Sequence, residues 1–196
     1  FGELITLIEK DKRETVEVVL PYSKTVFSVP KNLYIIGTMN TADRSIEALD
    51  TALRRRFSFY ECKPDPSLLG QSEMPTVGID LELLLEKINQ RIEVLLDRDH
   101  TIGHSFFMKI ENKSDPLEEL KKIFENNIIP LLNEYFYNDR SKIKMALGPA
   151  FVEEKAVNDD LFFTVDSEDA GFVEYARKTY EIKVPDTLEG FRSIYE

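Results

Sequence analysis

Residues 35–57 read IIGTMNTADRSIEALDTALRRRF, and this stretch decides how the first part of the chain is interpreted. It begins with an apolar run, continues with a polar cluster containing Asn40 and Asp43, and ends with the arginines at 54–56. Asp43 or Ser45 can cap a helix after the cluster. A strand that ends in polar residues before a capped helix places them at the carboxyl edge of a sheet, where α/β folds bind ligands. The stretch therefore predicts a strand, a polar site and a helix, in that order.

The polar side chains of this stretch are of the types that bind a phosphate group or assist its hydrolysis. The Asn40 amide can hold an attacking water or a phosphate oxygen, and Asp43 can accept a proton or fix an arginine. Arg54, Arg55 and Arg56 have two interpretations. They either complement the negative end of the helix dipole on a solvated face, or, since successive residues point in different directions, one of them projects toward a neighbouring molecule.

Composition limits the class of protein. The chain has 196 residues, 42% of them hydrophobic, enough for one medium domain or two small ones. Its formal net charge is -11, which disfavours nucleic-acid binding by this chain itself. There is one cysteine, Cys62, and the sequence has neither a membrane-length apolar run nor a leader. We therefore expect a cytoplasmic protein that does not enter a membrane.

The first part of the chain is expected to be mostly α/β. The sequence starts at Phe1 inside a helical pattern, which we interpret as a piece of a longer protein. β-branched runs within residues 15–30 predict a hairpin. The segments Tyr34–Thr38 and Phe57–Glu61 are predicted to be core strands, the former buried on both faces. Residues 63–79, rich in Pro, Gly, Ser and Gln, are predicted to be a linker.

Residues 80–150 have a helical period. One stripe contains Leu81, Leu84, Leu85, Ile88, Ile92, Leu95 and Leu96. A second helix is predicted to begin at the Asp115 cap, to be kinked or split by Pro130, and to be followed by a short helix that ends at Gly148. Residues 151–196 are assigned to a C-terminal extension, with a solvated turn at 153–160, a strand at 161–166 and a helix at 171–180.

Three motifs carry a family resemblance. GTMNTADRS at 37–45, ALRRRF at 52–57 and IGHSFFM at 102–108 resemble the McrB family of AAA+ GTPases, the motor subunits of modification-dependent restriction systems. The resemblance implies α/β plus all-α architecture: a partial AAA+ α/β subdomain in residues 1–62, with its last two core strands, a hairpin and flanking helices, followed by a helical lid subdomain. In such a sheet the two predicted strands would flank a first strand that this sequence does not contain.

The same resemblance assigns roles to single residues. Asn40 is similar to the sensor-1 asparagine, and Asp43 joins it as a catalytic residue, while Thr41 and Arg44 belong to the signature. The signature is the most specific of the motifs, although any short motif carries some risk of a false match.

The remaining assignments concern arginines and the lid. Arg55 and Arg56 are similar to the finger arginines that act in trans on the neighbouring subunit's nucleotide, with Arg54 the weaker candidate. His104 and Ser105 are implied to lie near the nucleotide at the lid junction. His100 and His104 are four residues apart, but no third ligand is evident, and we assign no metal site.

Two elements of such a motor are missing from this sequence. It contains no G-x-x-x-x-G-K-[ST] motif and no apolar strand ending in Asp-Glu. GTP or ATP and Mg²⁺ are therefore expected as cofactors of the full-length parent, and this fragment is expected to bind and hydrolyse neither nucleotide. The implied partners are further copies in a hexamer-like ring, a McrC-like nuclease subunit, and modified DNA bound through an upstream domain.

Two other functions stay open at this stage. One is an ATP-driven, MoxR-like AAA+ remodelling enzyme, because base specificity depends on residues outside this sequence. The other is a non-catalytic acidic protein-interaction module, for which Asn40, Asp43 and the arginines would be ordinary surface residues.

Overall fold

The computed structural model contains two compact units and describes most of the chain. The units are Phe1–Cys62 and Lys63–Glu196, hereafter the N-terminal unit and the C-terminal unit. The described residues are 2–40, 54–70, 78–110, 114–156 and 178–196. Helices and two small antiparallel sheets make up these ranges, in agreement with a mixture of α/β and helical structure. No helix among them is long and apolar enough to cross a membrane.

The N-terminal unit contains a short helix, α1 (Gly2–Leu7), and a hairpin of β1 (Val18–Val19) and β2 (Val26–Phe27). The strands are antiparallel, with Val18 opposite Phe27. The turn is closed by the Lys24 N–H, which donates to the Leu20 carbonyl at 3.0 Å. The predicted hairpin is therefore confirmed.

The two predicted core strands are not formed. Tyr34–Thr38 and Phe57–Glu61 have no ladder partner among the described residues, and the prediction of buried strands is wrong for this structure. Tyr34 is 87%, Ile36 94% and Tyr60 90% exposed. The physical reason is that a strand needs a neighbour to pair its backbone groups, and the described ranges supply none. The helix predicted after Asn40 falls on residues 41–53, outside the described residues, and helical structure is seen at Arg54.

The C-terminal unit begins with α2 (Ser67–Gly70) and α3 (Leu81–Leu95). The Asp80 carboxylate caps α3 by accepting the Leu83 N–H at 2.9 Å, and the predicted stripe is buried from Leu81 to Ile92, with Leu95 and Leu96 partly buried. Leu69 of α2 is buried in the same hydrophobic core. Residues 63–70 are therefore part of the packed unit rather than a linker.

The next helical segment is interrupted as predicted. After two 3₁₀ segments, Arg98–His100 and His104–Ile110, come α4 (Pro116–Ile123), a π-turn (Phe124–Ile128) and α5 (Ile129–Tyr135). The Asp115 carboxylate accepts the Glu118 N–H at 3.1 Å, which confirms the predicted cap.

The π-turn has a cause in the sequence. Pro130 has no N–H to donate and its ring crowds the preceding turn of a regular helix. Ile129 instead donates across the wider turn to the Phe124 carbonyl. The buried residues here recur every fourth position: Leu120, Phe124, Ile128, Leu132 and Phe136. In a regular α-helix each such step drifts by roughly 40°, and the wider turn offsets part of that drift.

The last helices and the second sheet close the unit. Helix α6 (Arg140–Leu147) ends at Gly148, whose φ of +95° is one that L side chains rarely adopt, so the predicted glycine stop is confirmed. Strands β3 (Val152–Ala156) and β4 (Lys178–Ile182) pair antiparallel, with Glu154 opposite Tyr180. The final helix is α7 (Leu188–Arg192).

Two sequence predictions for this region are corrected by β3 and β4. Residues 153–156 form a strand rather than a turn, and 178–180 form a strand rather than the end of a helix. Each strand obtains its backbone hydrogen bonds from the other, a pairing across a long sequence separation that local patterns do not reveal. The strand predicted at 161–166 lies outside the described residues.

Residues 151–156 and 178–196 complete the core of the C-terminal unit instead of extending from it. Phe124, Phe151 and Phe191 form a ring cluster with centroids 5.1–5.4 Å apart. Arg91 of α3 joins the same regions, because its guanidinium donates to the Ala146 carbonyl at 2.9 Å and to the Ile194 carbonyl at 2.7 Å. The helices and the C-terminal residues therefore form one packed body.

Candidate functional site

Arg13 holds the backbone at the start of the segment that leads to Asn40. Its guanidinium donates to the Ile8 carbonyl at 2.9 Å and to the Leu33 carbonyl at 2.7 Å, so it links the end of α1 to the start of the apolar run. Asn40 follows that run and is exposed.

The other signature residues lie outside the described residues. They are Asp43, predicted to act with Asn40, and Thr41 and Arg44, predicted to belong to the same signature. The predicted pairing of Asn40 and Asp43 around one ligand therefore stays a prediction.

The three arginines have different surroundings. Arg54 is exposed and its guanidinium lies 5.9 Å from the centroid of the Phe59 ring, a cation–π contact. Arg55 is exposed, and no partner for it is seen within the described ranges. Arg56 is 13% exposed and forms an ion pair with Glu9.

Glu9 ties Arg56 to the helical start of the chain. The Glu9 carboxylate also pairs with Lys12 at 2.5 Å, and the hydrogen bond from Lys12, together with the charge of Arg56, lowers the Glu9 pKa below its ordinary value. Arg56 is thus paired with a carboxylate of its own unit. The same contact is expected of an arginine with a purely structural role.

In the C-terminal unit, His104 is held by the backbone of Asp65. The Asp65 N–H donates to His104 Nδ1 at 3.0 Å. Because Nδ1 accepts this bond, the proton of the neutral ring is on Nε2. The Asp65 carboxylate in turn accepts from Ser67 Oγ at 2.6 Å at the start of α2. Ser105, predicted with His104, is exposed.

The segment that carries His104 is fixed from the other side by Asn89 of α3. Asn89 Oδ1 accepts the Ile102 N–H at 2.6 Å, and Asn89 Nδ2 donates to the Ile102 carbonyl at 2.9 Å. The Ile102 side chain is fully buried in the core. One side chain therefore satisfies both backbone groups of a residue two positions before His104.

His100 is engaged differently. Its Nδ1 lies 2.6 Å from Asp97 Oδ1, and its ring meets the Tyr135 ring edge-on at 4.7 Å. The hydrogen bond with His100 lowers the pKa of Asp97. The two histidines thus have separate partners, Asp97 for His100 and Asp65 for His104. Within the described ranges, no group of three or more His, Cys, Asp or Glu residues has a metal-binding arrangement.

The sequence did not reveal Glu9 and Asn89 as supporting residues. Glu9 was one charge among many in the first helical pattern, and its partner is 47 positions away along the chain. Asn89 offered a weak signal, since it is a polar residue that borders the buried stripe between Ile88 and Ile92.

Comparison with known proteins identifies the class first. Residues 80–144 match the model of the McrB alpha-helical lid domain. This range begins at the Asp80 cap and ends inside α6, so the helical part of the C-terminal unit is a lid domain of this type.

Two curated relatives extend the match beyond the lid. The chain is 41% identical to the type IV methyl-directed restriction enzyme EcoKMcrB subunit of Escherichia coli K12, in a match that covers 72% of the chain. It is 24% identical to the type II restriction enzyme BsuMI component YdiS of Bacillus subtilis 168, in a match that covers 88% of the chain. The chain belongs to the McrB family. It spans 34% of the length of the first relative and 55% of the second.

Proposed function

We propose that this chain is part of the nucleotide-hydrolysing motor subunit of a modification-dependent restriction system, a GTPase that drives DNA cleavage by a partner nuclease subunit. The observation that carries the proposal is the 41% identity to a methyl-directed restriction subunit over most of the chain. The second relative is also a restriction component, which favours this role over that of an ATP-driven remodelling enzyme.

In this proposal the first catalytic group acts within one subunit. Asn40 and Asp43 orient the water that attacks the γ-phosphate, while GTP and Mg²⁺ are bound mainly by a P-loop and an acidic strand end that this sequence does not contain. The position of Asn40 in the GTMNTADRS signature supports this assignment.

The second catalytic group acts on the neighbouring subunit of a ring. Both Arg55 and Arg56 are finger candidates, and their surroundings favour Arg55. Arg55 is exposed, whereas Arg56 would have to leave Glu9 before it could reach a phosphate. A charge already paired and partly buried gains less from a new anionic partner.

The test is a comparison of two substitutions in the motor that contains this chain together with a P-loop module. Arg55→Ala is expected to lower GTP turnover by about 10³- to 10⁵-fold with nearly unchanged nucleotide affinity, because a finger acts on the transition state. Arg56→Ala is expected to lower stability through loss of the Glu9 contact and to affect turnover less. Steady-state kinetics, nucleotide titration and thermal unfolding separate these effects.

Mixed rings test the trans assignment. Arg55→Ala subunits combined with Asn40→Ala subunits are expected to regain activity, since some interfaces then pair an intact asparagine with an intact arginine. Co-assembled mixtures that stay as inactive as their components would show that Arg55 does not act in trans. Normal turnover of Arg55→Ala together with loss in Arg56→Ala would transfer the role to Arg56.

The proposal also makes a statement about this chain by itself. Without a P-loop in its sequence, the 196-residue chain is expected to show no saturable binding of GTP or ATP in calorimetry. Tight binding would mean that the nucleotide site lies elsewhere than proposed.

A further inference from the structure

Both the oxygen and the nitrogen of the Asn89 carboxamide bond with one residue of the segment that leads to His104. Asn89 accepts from the Ile102 N–H at 2.6 Å and donates to the Ile102 carbonyl at 2.9 Å. Both bonds are partly buried, so the loss of either partner leaves a backbone group without its hydrogen bond in a poorly hydrated place. These two hydrogen bonds hold the Ile102 backbone in a defined position and orientation against α3.

The ring of His104 is fixed from the opposite direction. The Asp65 N–H at 3.0 Å uses Nδ1 as the acceptor, and the neutral ring therefore carries its proton on Nε2. No second partner of His104 is seen among the described residues, and its side chain is partly exposed. The Nε2–H is the donor that this arrangement leaves for a molecule outside the unit.

We propose that Asn89 is a positioning residue that holds His104 so that its Nε2–H donates a hydrogen bond to an acceptor atom of the bound nucleotide. This inference rests on the proposed function, and it extends that function by naming the ring nitrogen, its protonation and the residue that orients it. Asn89 itself does not touch the nucleotide; it acts through Ile102.

The first test follows the imidazole nitrogens of this chain by ¹⁵N NMR. The chain has two histidines, so the spectrum holds two rings, and His100→Gln identifies the signals of His104. The neutral ring of native His104 is expected to be the Nε2–H tautomer. Asn89→Ala is expected to shift both nitrogens toward a mixture of tautomers, because the backbone before His104 loses both restraints.

Two variants make this test specific. Asn89→Asp keeps the acceptor for the Ile102 N–H and loses the donor to its carbonyl, so an intermediate spectrum is expected, and this variant decides the matter if Asn89→Ala does not fold. Gln90→Ala changes the next residue of α3 and is expected to leave the His104 signals unchanged, because within the described ranges the Gln90 amide bonds only with Glu86 and Lys87.

The second test measures nucleotide affinity in the longer motor protein. His104→Ala is expected to raise the Kd for GTP by roughly threefold to tenfold, the value of one net hydrogen bond. His104→Gln is expected to restore binding, because its amide nitrogen can donate from a similar position. Tripolyphosphate shows which part of the nucleotide accepts the hydrogen bond. If the acceptor is a phosphate oxygen, His104→Ala weakens tripolyphosphate binding as well. If the acceptor is on the base, tripolyphosphate binding is unchanged in this variant.

The outcomes separate this inference from the proposed function. A folded Asn89→Ala variant with unchanged His104 signals, or a native ring protonated on Nδ1, overturns the positioning role. Tight GTP binding that His104→Ala does not weaken overturns the contact and leaves the motor function intact. A motor protein that binds no nucleotide at all refutes the proposed function, whereas the NMR result still decides the role of Asn89.

Discussion

The two units of the chain differ in whether the apolar residues of their predicted helices and strands are buried within the unit. The helical stripes of the C-terminal unit meet one another and the C-terminal residues in a continuous core. In the N-terminal unit Leu7, Ile8 and Val29 are buried, whereas the apolar run at Tyr34 and Ile36 is exposed. The difference teaches that a helix completes its own backbone hydrogen bonds and needs only a packing partner, whereas a strand also needs a neighbour to pair with.

The largest effect is expected from Phe124→Ala in the C-terminal unit. Phe124 is fully buried and contacts the rings of Phe107, Phe151 and Phe191. Truncation should lower the free energy of unfolding of this unit by about 3–5 kcal/mol, from lost burial plus a cavity. The measurement is denaturant unfolding followed by circular dichroism.

Ile36→Ala is the matched change in the N-terminal unit. Ile36 is 94% exposed, so the free energy of unfolding is expected to change by about 0.5 kcal/mol or less. Comparable losses for the two substitutions would remove the contrast between the units and indicate that Ile36 is buried in solution.

An intermediate effect is expected from Arg91→Met. The substitution removes the donors to the Ala146 and Ile194 carbonyls while keeping most of the apolar stem. The partly buried carbonyls lose charged donors, and a loss of about 1–3 kcal/mol is expected. Lys87→Met on the same helix is the control, because among the residues that the structure describes the Lys87 amine bonds only with the Gln90 side chain. Equal stability of the two variants would show that Arg91 does not join α3 to the C-terminal residues.

The smallest effect concerns the second sheet. Hydrogen bonds from Lys144 and Lys178, each at 2.8 Å, lower the Glu154 pKa from 4.5 to about 2. A carboxyl group whose pKa is depressed by folding stabilises the fold above its unfolded pKa, and this contribution is lost as the pH falls from about 4.5 toward 2. Glu154→Gln should therefore reduce the dependence of unfolding on pH in this window.

Glu153→Gln is the control for that experiment. Glu153 lies on the same strand and has a single ion pair with Lys183 at 3.3 Å. The acid dependence is expected to change less in this variant. An unchanged acid profile in Glu154→Gln would mean that the exposed lysines do not hold the carboxylate in solution.

The predictable part of the fold was encoded locally. The α3 stripe, the Asp115 cap, the interruption at Pro130 and the stop at Gly148 each depend on residues a few positions apart, and all four are confirmed. The pairing of β3 with β4 and the packing of Phe191 in the core join residues far apart in sequence, and no local pattern predicts either.

The candidate site divides in the same way. The motifs predict that Asn40, Arg55, Arg56 and His104 act on a ligand, and these assignments stay predictions. The residues that hold those groups were not predicted. The fold brings Glu9 and Asn89 to partners that are distant along the chain. A single glutamate or asparagine in a sequence does not indicate such a contact.

The π-turn at Phe124–Ile128 has a consequence for how this sequence can change in length. Its residues 125–127 are exposed and are expected to accept many substitutions. Because a π-turn contains one residue more than an α-turn between the same two hydrogen-bonded groups, deleting one of them would give a regular turn and leave Leu132 and Phe136 facing the core. The turn is therefore a place where this sequence can lose one residue without a change in helical register.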